Sequence, residues 1–379
     1  MTQANGTAEL AEDEEIEEIA GPDQRPAVLV VFNMKGGIGK TTTSVNLAVA
    51  LAALGRSVVL IDLDCQGNAT ASLGFIGTVA TGASELMAGT ATLSKARKAT
   101  RWPKLWVCGA SSELAATDFD LAVTEEPHRQ LAMALEKVPL GIDFVVIDCP
   151  PALGLMPVNA LVAGDAVLLP VTPEPMARDG LHNAWHHITQ LRAKLKPGLG
   201  IAGILLTMTE GGEVHRSMAD TIRSEFGGRM LDVEVPRDPQ VVLAAMRDLP
   251  VVVCAPRSPA AQAYIRIAET MARRVVAGSL DPMRNPPPMD EEEPPPQVNT
   301  DEVVEGATIV LESWSKEVEV GATPAQTIGA PPVASWRDTL DRSEIAPKVA
   351  LWLKLAAGLL LMLLGGVVGY AMGYSQTLL

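Results

Sequence analysis

The chain has 379 residues, 45 of them Asp or Glu against 30 Lys or Arg, a net charge of −15, which leaves room for one large domain or two medium ones. The charge is uneven: residues 1–26 carry −7 and 281–347 carry −10, whereas 27–280 holds 23 acids and 23 bases. A neutral central region argues against DNA binding through bulk charge, and four scattered cysteines (Cys65, Cys108, Cys149, Cys254) without CxxC spacing point to buried, reduced thiols.

Residues 1–26 contain EDEEIEE and no apolar block, which excludes a signal peptide and suggests a solvated, disordered arm. AVLVVF (27–32) is β-branched and too short for a core helix, so a buried strand is expected. Met34–Thr41 then follows the phosphate-loop spacing G-x-x-x-x-G-K-[ST], with Met34 standing where the first glycine belongs. Gly36, Gly37 and Gly39 let backbone N–H groups turn inward to cradle phosphate oxygens. Lys40 supplies a point charge, the Thr41 hydroxyl can ligate Mg²⁺, and a helix opening at Thr41 and Thr42 adds its positive end. A plain glycine turn between strand and helix is the alternative. Lys35, Gly36, Gly37, Ile38, Gly39, Lys40, Thr41 and Thr42 are therefore the phosphate-binding candidates.

Beyond the loop, apolar strands alternate with helical stretches, which predicts an α/β fold with a mostly parallel sheet flanked by helices. Val45, Leu47, Ala48 and Leu51 give Thr42–Leu54 helical spacing, and strands are expected over Ser57–Leu63, Leu105–Cys108, Phe144–Asp148, Ala166–Leu169, Ile201–Met208 and Leu231–Val235. Asp62, Asp64 and Asp148 each end an apolar run, so all three can face one ligand at the carboxyl edge of the sheet. Any one of them alone would serve equally as a capping aspartate. His182 and His186 have metal-ligand spacing, but no carboxylate or cysteine completes a site, and they read as ordinary helix residues.

After Ala277 the composition changes. Residues 280–347 hold eleven prolines and runs such as NPPPMDEEEPPP, expected as a disordered or partly polyproline linker. Within it TIVLESWSKEVEV (308–320) is apolar enough for a partner-binding strand, with a chance apolar patch as the alternative. The stretch 348–374 includes the uncharged LAAGLLLMLLGGVVGYAMG (355–373), expected as a transmembrane helix with 375–379 as a short tail; a buried helix of the folded domain is the alternative. Basic residues before this stretch would put the domain on the cytoplasmic side of the inner membrane, single-pass. Gly365, Gly369 and Gly373 could pair two such helices or be tolerated in one.

With Lys35 as its second lysine, KGGIGKTT resembles the deviant Walker A loop of the ParA/MinD family of ATPases. SVVLIDLDCQGNAT (57–70), DFVVIDCPPALGLMPVNAL (143–161) and GDAVLLPVTPEPMARDGL (164–181) resemble that family's later motifs in order, so the likeness spans 27–279. The resemblance implies ATP and Mg²⁺ as cofactors, Asp148 holding the metal through water, Asp64 orienting the attacking water, and Asp62 as its companion. It implies that Lys35 reaches the nucleotide of a partner subunit, tying hydrolysis to an ATP-dependent homodimer, and that Pro236 and Arg237 lie near the adenine. Two departures remove phosphate-contacting cations of DNA-partitioning members: Gly212 and Gln240 stand where arginines are usual. DNA binding is thus not expected unless Arg216, Arg223, Arg273 and Arg274 form another patch. Cys65 replaces a usual proline and is expected as small buried filler.

The expected function is a membrane-tethered ATPase, a dimerisation switch that positions or recruits a cargo with an unidentified activating or adaptor protein. The alternatives are a segregation ATPase bound to nucleoid DNA, a membrane autokinase (disfavoured by three tyrosines, Tyr264, Tyr370 and Tyr374, none in the linker), and a scaffold that binds ATP without hydrolysing it.

Overall fold

The computed structural model describes residues 25–75, 80–111, 113–152, 154–281 and 299–320. Among these, apolar runs form an eight-stranded sheet in the order β3-β4-β2-β5-β1-β6-β7-β8. The strands are β1 (Ala27–Val31), β2 (Val58–Asp62), β3 (Lys98–Ala99), β4 (Leu105–Cys108), β5 (Phe144–Asp148), β6 (Ala166–Val171), β7 (Gly200–Thr209) and β8 (Val235–Pro236). All pairings are parallel except the short edge strand β3 on β4.

The helices follow in chain order: α1 (Lys40–Ala53), α2 (Asn68–Ser72), α3 (Ala83–Met87), α4 (Leu93–Ala96), α5 (Leu114–Ala122), α6 (Gln130–Leu135), α7 (Leu155–Ala163), α8 (Pro175–Lys194), α9 (Glu213–Phe226), α10 (Pro239–Ala245), α11 (Val251–Cys254), α12 (Pro259–Val276) and α13 (Thr300–Val320). Because a parallel sheet is covered on both faces, its strands read as continuous apolar runs. Alternate residues go to opposite layers: Val28, Val30 and Phe32 pack into one core with α3 and α5–α9. Leu29 and Val31 pack into the other with α1 and α11–α13. β1 lies between β5 and β6, where the strand order reverses, and such a switch point opens a crevice at the carboxyl ends of the strands.

Several expectations change. The strand expected over Leu231–Val235 shrinks to β8, preceded by a lone bridge from Met230 to Ile204. Cys65 is exposed, on the turn after β2, while Cys108 and Cys149 are buried and Cys254 is half-buried. The segment 308–320, expected as a strand or chance patch within a linker, is the greater part of α13, whose Val304, Ala307, Leu311 and Trp314 are buried. Its apolar residues recur at helical spacing and find an apolar surface to cover, and that decides helix over strand.

The single-pass inner-membrane expectation is also corrected. Among the described residues no helix is long and apolar enough to cross a membrane. The long helices α8, α12 and α13 (20, 18 and 21 residues) each carry charged side chains along one face, as core-covering helices do. The stretch 348–374 lies outside the described residues, as do 1–24 and most of the proline-rich stretch.

Gly164 ends α7 where a Cβ would lie 2.5 Å from Val30 Cγ2 on the central strand. Gly164→Ala should therefore destabilise the fold by about 1–3 kcal/mol through overpacking, a drop of roughly 2–10 °C in a thermal melt. An unchanged melting temperature would contradict this packing.

Candidate active site

The loop after β1 is held from both sides. Asn33 is fully buried; its Nδ2 donates to Pro170 O on β6 (2.8 Å), and its Oδ1 accepts from Lys35 N (3.2 Å). Thr207 Oγ1 on β7 lies 2.9 Å from Ile38 O and 3.2 Å from Val171 O. Gly37 (φ 75°) and Gly39 (φ 85°) are left-handed, and nothing lies within 4 Å of a Cβ built on Gly37, so backbone conformation and not crowding demands glycine there. No side chain caps the start of α1, leaving the N–H groups of its first turn facing the loop.

Lys40 is almost fully buried and donates through Nζ to Lys35 O (2.8 Å). Burial lowers its pKa, while the charges of Asp148, Cys149 and Asp64 oppose that shift. Lys35 forms a half-exposed ion pair with Glu174 (3.3 Å), and Gly180 on α8 leaves room for its stem, since a Cβ there would sit 3.2 Å from Lys35 Cβ. Thr41 and Thr42 are half-buried beside the loop.

The three acids divide by role. Asp62 and Asp148 are register partners on β2 and β5, and both are fully buried. Both oxygens of Asp62 have partners: Oδ2 accepts from Thr70 N (2.9 Å) and Thr70 Oγ1 (2.7 Å), and Oδ1 accepts from Asp64 N (3.1 Å). It organises the turn carrying Asp64. Asp148 Oδ1 accepts from Ser44 Oγ of α1 (2.8 Å), but Oδ2 has no hydrogen-bond partner. Asp64 is half-buried on the same turn, its Oδ1 accepting from Gln66 N (3.0 Å). Burial raises Asp148 to about 7, aided by the Asp62 and Asp64 charges and opposed by the Ser44 and Thr41 hydroxyls. Burial likewise raises Asp62 to about 6, opposed by its bonds to Thr70 and Asp64.

Pro236 and Arg237 reach the same edge of the sheet. Arg237 N donates to Thr209 O (2.8 Å), and its guanidinium pairs with Glu210 (3.3 Å). Met208, the residue before Thr209, lies against the loop, since a Cβ on Gly39 would meet its Cε at 3.7 Å. A cleft of about 310 Å³ opens between the ends of β6 and β7, bordered by Pro173, Thr209, Glu210 and His215. His182 bonds Glu225 and His186 bonds Gln190, each on the surface of α8. Three of the four arginines expected as an alternative patch are engaged internally: Arg223 with Glu234 and Asp220, Arg273 with Glu269, and Arg274 with Ala202 O.

Sequence reasoning missed Glu174, Ser44 and Met208. Glu174 had a signal, an acid between two prolines at a strand end. Ser44 and Met208 had none, because a serine in an apolar helix and a methionine at a strand end are ordinary residues.

Magnesium with a nucleoside triphosphate fits this site. Mg²⁺ keeps most of its waters and needs only one or two protein oxygens beside the phosphates, and the unpartnered Asp148 Oδ2 near Thr41 is such a group. Among the described residues no cluster of three or more His, Cys, Asp or Glu could hold an ion alone.

The comparisons agree with this chemistry. Residues 27–201 match the family described as an AAA domain. The sporulation initiation inhibitor protein Soj of Bacillus subtilis is 34% identical over 247 residues, 65% of this chain and 98% of that one. The chromosome partitioning protein ParA of Caulobacter vibrioides is 36% identical over 251 residues, 65% of this chain and 94% of that one. This chain belongs to the ParA/MinD family of P-loop ATPases. Among solved structures, the ParA/MinD chain resembles cobyrinic acid a,c-diamide synthase of Mycobacterium smegmatis with a bound ATP analogue and magnesium, at TM-score 0.59 and 28% identity, over 68% of this chain and 98% of that one. It also resembles MinD of Pyrococcus horikoshii with Mg-ADP, at TM-score 0.55 and 25% identity, over 67% of this chain and 98% of that one. The protein is an ATPase whose cofactors are ATP and Mg²⁺.

The raised carboxyl pair gives the ligand-free ATPase a pH dependence. A carboxyl whose pKa is raised on folding binds its proton more tightly in the folded state, so stability falls as pH rises from the ordinary value of 3.8 through about 7. The melting temperature of the nucleotide-free protein should drop between pH 5 and pH 8, and Asp148→Asn should flatten that slope. A slope unaffected by the substitution would place the titrating group elsewhere.

Proposed function

We propose that this chain is a ParA-like partitioning ATPase, a nucleotide-dependent dimerisation switch that positions or recruits a cellular cargo. The observation that carries the reading is buried Lys40, opening an uncapped helix behind a glycine loop and within the electrostatic reach of buried Asp148, whose Oδ2 is unpartnered. The relatives named for chromosome partitioning and septum-site determination support the partitioning role.

In this reading the backbone of Gly36–Thr42 and the Lys40 ammonium would hold the phosphates, and the Thr41 hydroxyl and Asp148, the latter through water, would hold Mg²⁺. Mg²⁺ and ATP, when bound, supply the electrophilic phosphorus and its leaving group. Phosphoryl transfer asks the protein mainly for positioning and charge neutralisation. Asp64 orients the attacking water, and Asp62 fixes the turn that carries it through the bond to Asp64 N. Lys35 serves a nucleotide held by the second subunit, which requires its ion pair with Glu174 to open. Pro236 and Arg237, with Met208 beside the loop, pack against the base. An activating or cargo-adaptor protein sets the cycle's timing.

Fluorescent ATP-analogue binding, phosphate release and light scattering test these roles separately. Lys40→Ala should abolish Mg-ATP binding. Asp64→Ala should keep binding but slow phosphate release about 10²-fold or more, the scale of a lost water-orienting group; unchanged release would remove Asp64 from the mechanism.

Lys35→Ala should bind ATP as a monomer, where the wild type becomes a dimer. A wild-type mass indifferent to nucleotide would refute the switch. The relatives named for chromosome partitioning also favour a second reading, in which the cargo is DNA; ATP-dependent, salt-sensitive DNA retention abolished by Arg216→Ala would select it.

A further inference from the structure

Helix α13 follows the sheet-forming part of the chain, beyond the residues 27–201 matched by the family. The relatives match 247–251 residues, about as many as lie between Ala27 and Asp281. α13 buries Val304, Ala307, Thr308, Leu311 and Trp314, one face of a helix, in the core layer containing α1, α11 and α12. Three contacts run in reverse order along the two helices, Asp301 with Arg266 (2.9 Å), Thr308 with Gln262 (3.0 Å) and Glu312 with Arg257 (2.6 Å), which stands just before α12; the long Arg257 side chain also reaches back to Glu305 (2.8 Å). The two helices are therefore antiparallel.

α13 is a weak helix by itself. Gly306 sits in its interior, and its last turn holds no base to complement the helix dipole. Its helicity depends on docking. The Arg257 pairs are more than half exposed at the arginine (58%), so they choose register and partner more than they add strength. Leu311 and Trp314, in the core layer, supply most of the hold.

The docking face touches the nucleotide site at two points. Arg257 and Glu312 border a cleft of about 610 Å³ with Asp238 and Gln240. Asp238 directly follows Arg237, caps α10 through Gln240 N (2.9 Å), and accepts from Ala260 N in the first turn of α12 (3.1 Å). Farther along α12, buried Tyr264 places its hydroxyl 3.5 Å from Thr43 Oγ1 in the first turn of α1.

We propose that the α11–α12 face is a docking surface for an acidic amphipathic helix, that α13 is its occupant, and that docking is coupled to nucleotide binding through Asp238 and α12. Docked α13 holds α12 and the Pro236–Asp238 turn in the arrangement that accepts the base, so nucleotide and α13 stabilise each other's bound state. This rests on the nucleotide reading of the loop.

The test uses the full chain. Arg257→Glu sets a third acid against Glu305 and Glu312, and Arg257→Glu with Glu305→Arg and Glu312→Arg restores opposite charges. The single variant should speed hydrogen–deuterium exchange over 300–320 and weaken affinity for a non-hydrolysable ATP analogue by about 5- to 10-fold, a modest coupling. The triple variant should restore both, and nucleotide should slow exchange over 300–320 in the wild type. Leu311→Asp, which leaves the ion pairs in place, should act in the same direction, with circular dichroism confirming that each variant is folded. Unchanged exchange in Arg257→Glu and in Leu311→Asp overturns the docking surface. Faster exchange with wild-type affinity overturns the coupling, whereas absent nucleotide binding by the wild type would instead strike the nucleotide reading.

Discussion

The site depends on two opposite charges that the fold keeps largely out of water. Lys40 opens α1 after the loop that follows β1, Asp148 ends the adjacent strand β5, and each is only partly compensated: the ammonium rests on its own loop's carbonyl, and one carboxylate oxygen has no hydrogen-bond partner. Burying such groups is unfavourable unless geometry or a ligand compensates. Packing of β1, β5 and α1 holds both groups in place, and a magnesium-bound triphosphate would give both of them partners.

Asp62 and Asp148, register neighbours with nearly the same burial, differ in how their oxygens are satisfied. Asp62 spends every oxygen on Thr70 and Asp64, so it shapes the turn that presents Asp64. Asp148 spends one oxygen on Ser44 and keeps the other. Hydrogen-bond satisfaction, not burial, separates a structural acid from one with capacity for a ligand.

α1 and α12 carry the connection outward. α1 starts at the loop and is buried along almost its whole length, so it cannot shift alone. α12 lies in the same layer, touches α1 near Thr43, donates from Ala260 N to Asp238, and with Arg266 and the preceding Arg257 meets α13. A surface helix and the nucleotide loop thus share one rigid element.

Much of this was legible in the residues themselves. Continuous β-branched runs can be satisfied only by strands covered on both faces, and the spacing from Gly36 to Thr41 admits few uses besides a phosphate cradle, so the parallel sheet and the loop follow from local chemistry. Ion pairs and partial satisfaction were not legible, because they join residues distant in sequence: Lys35 with Glu174, Ser44 with Asp148, Met208 with Gly39. Segment 308–320 shows the limit most plainly. Its apolar pattern serves a strand, a helix or no structure at all, and the matching face of α11 and α12 selected the helix. Local sequence dictated backbone preference and chemical capacity; tertiary packing determined which capacities were spent inside the protein and which were left for a ligand.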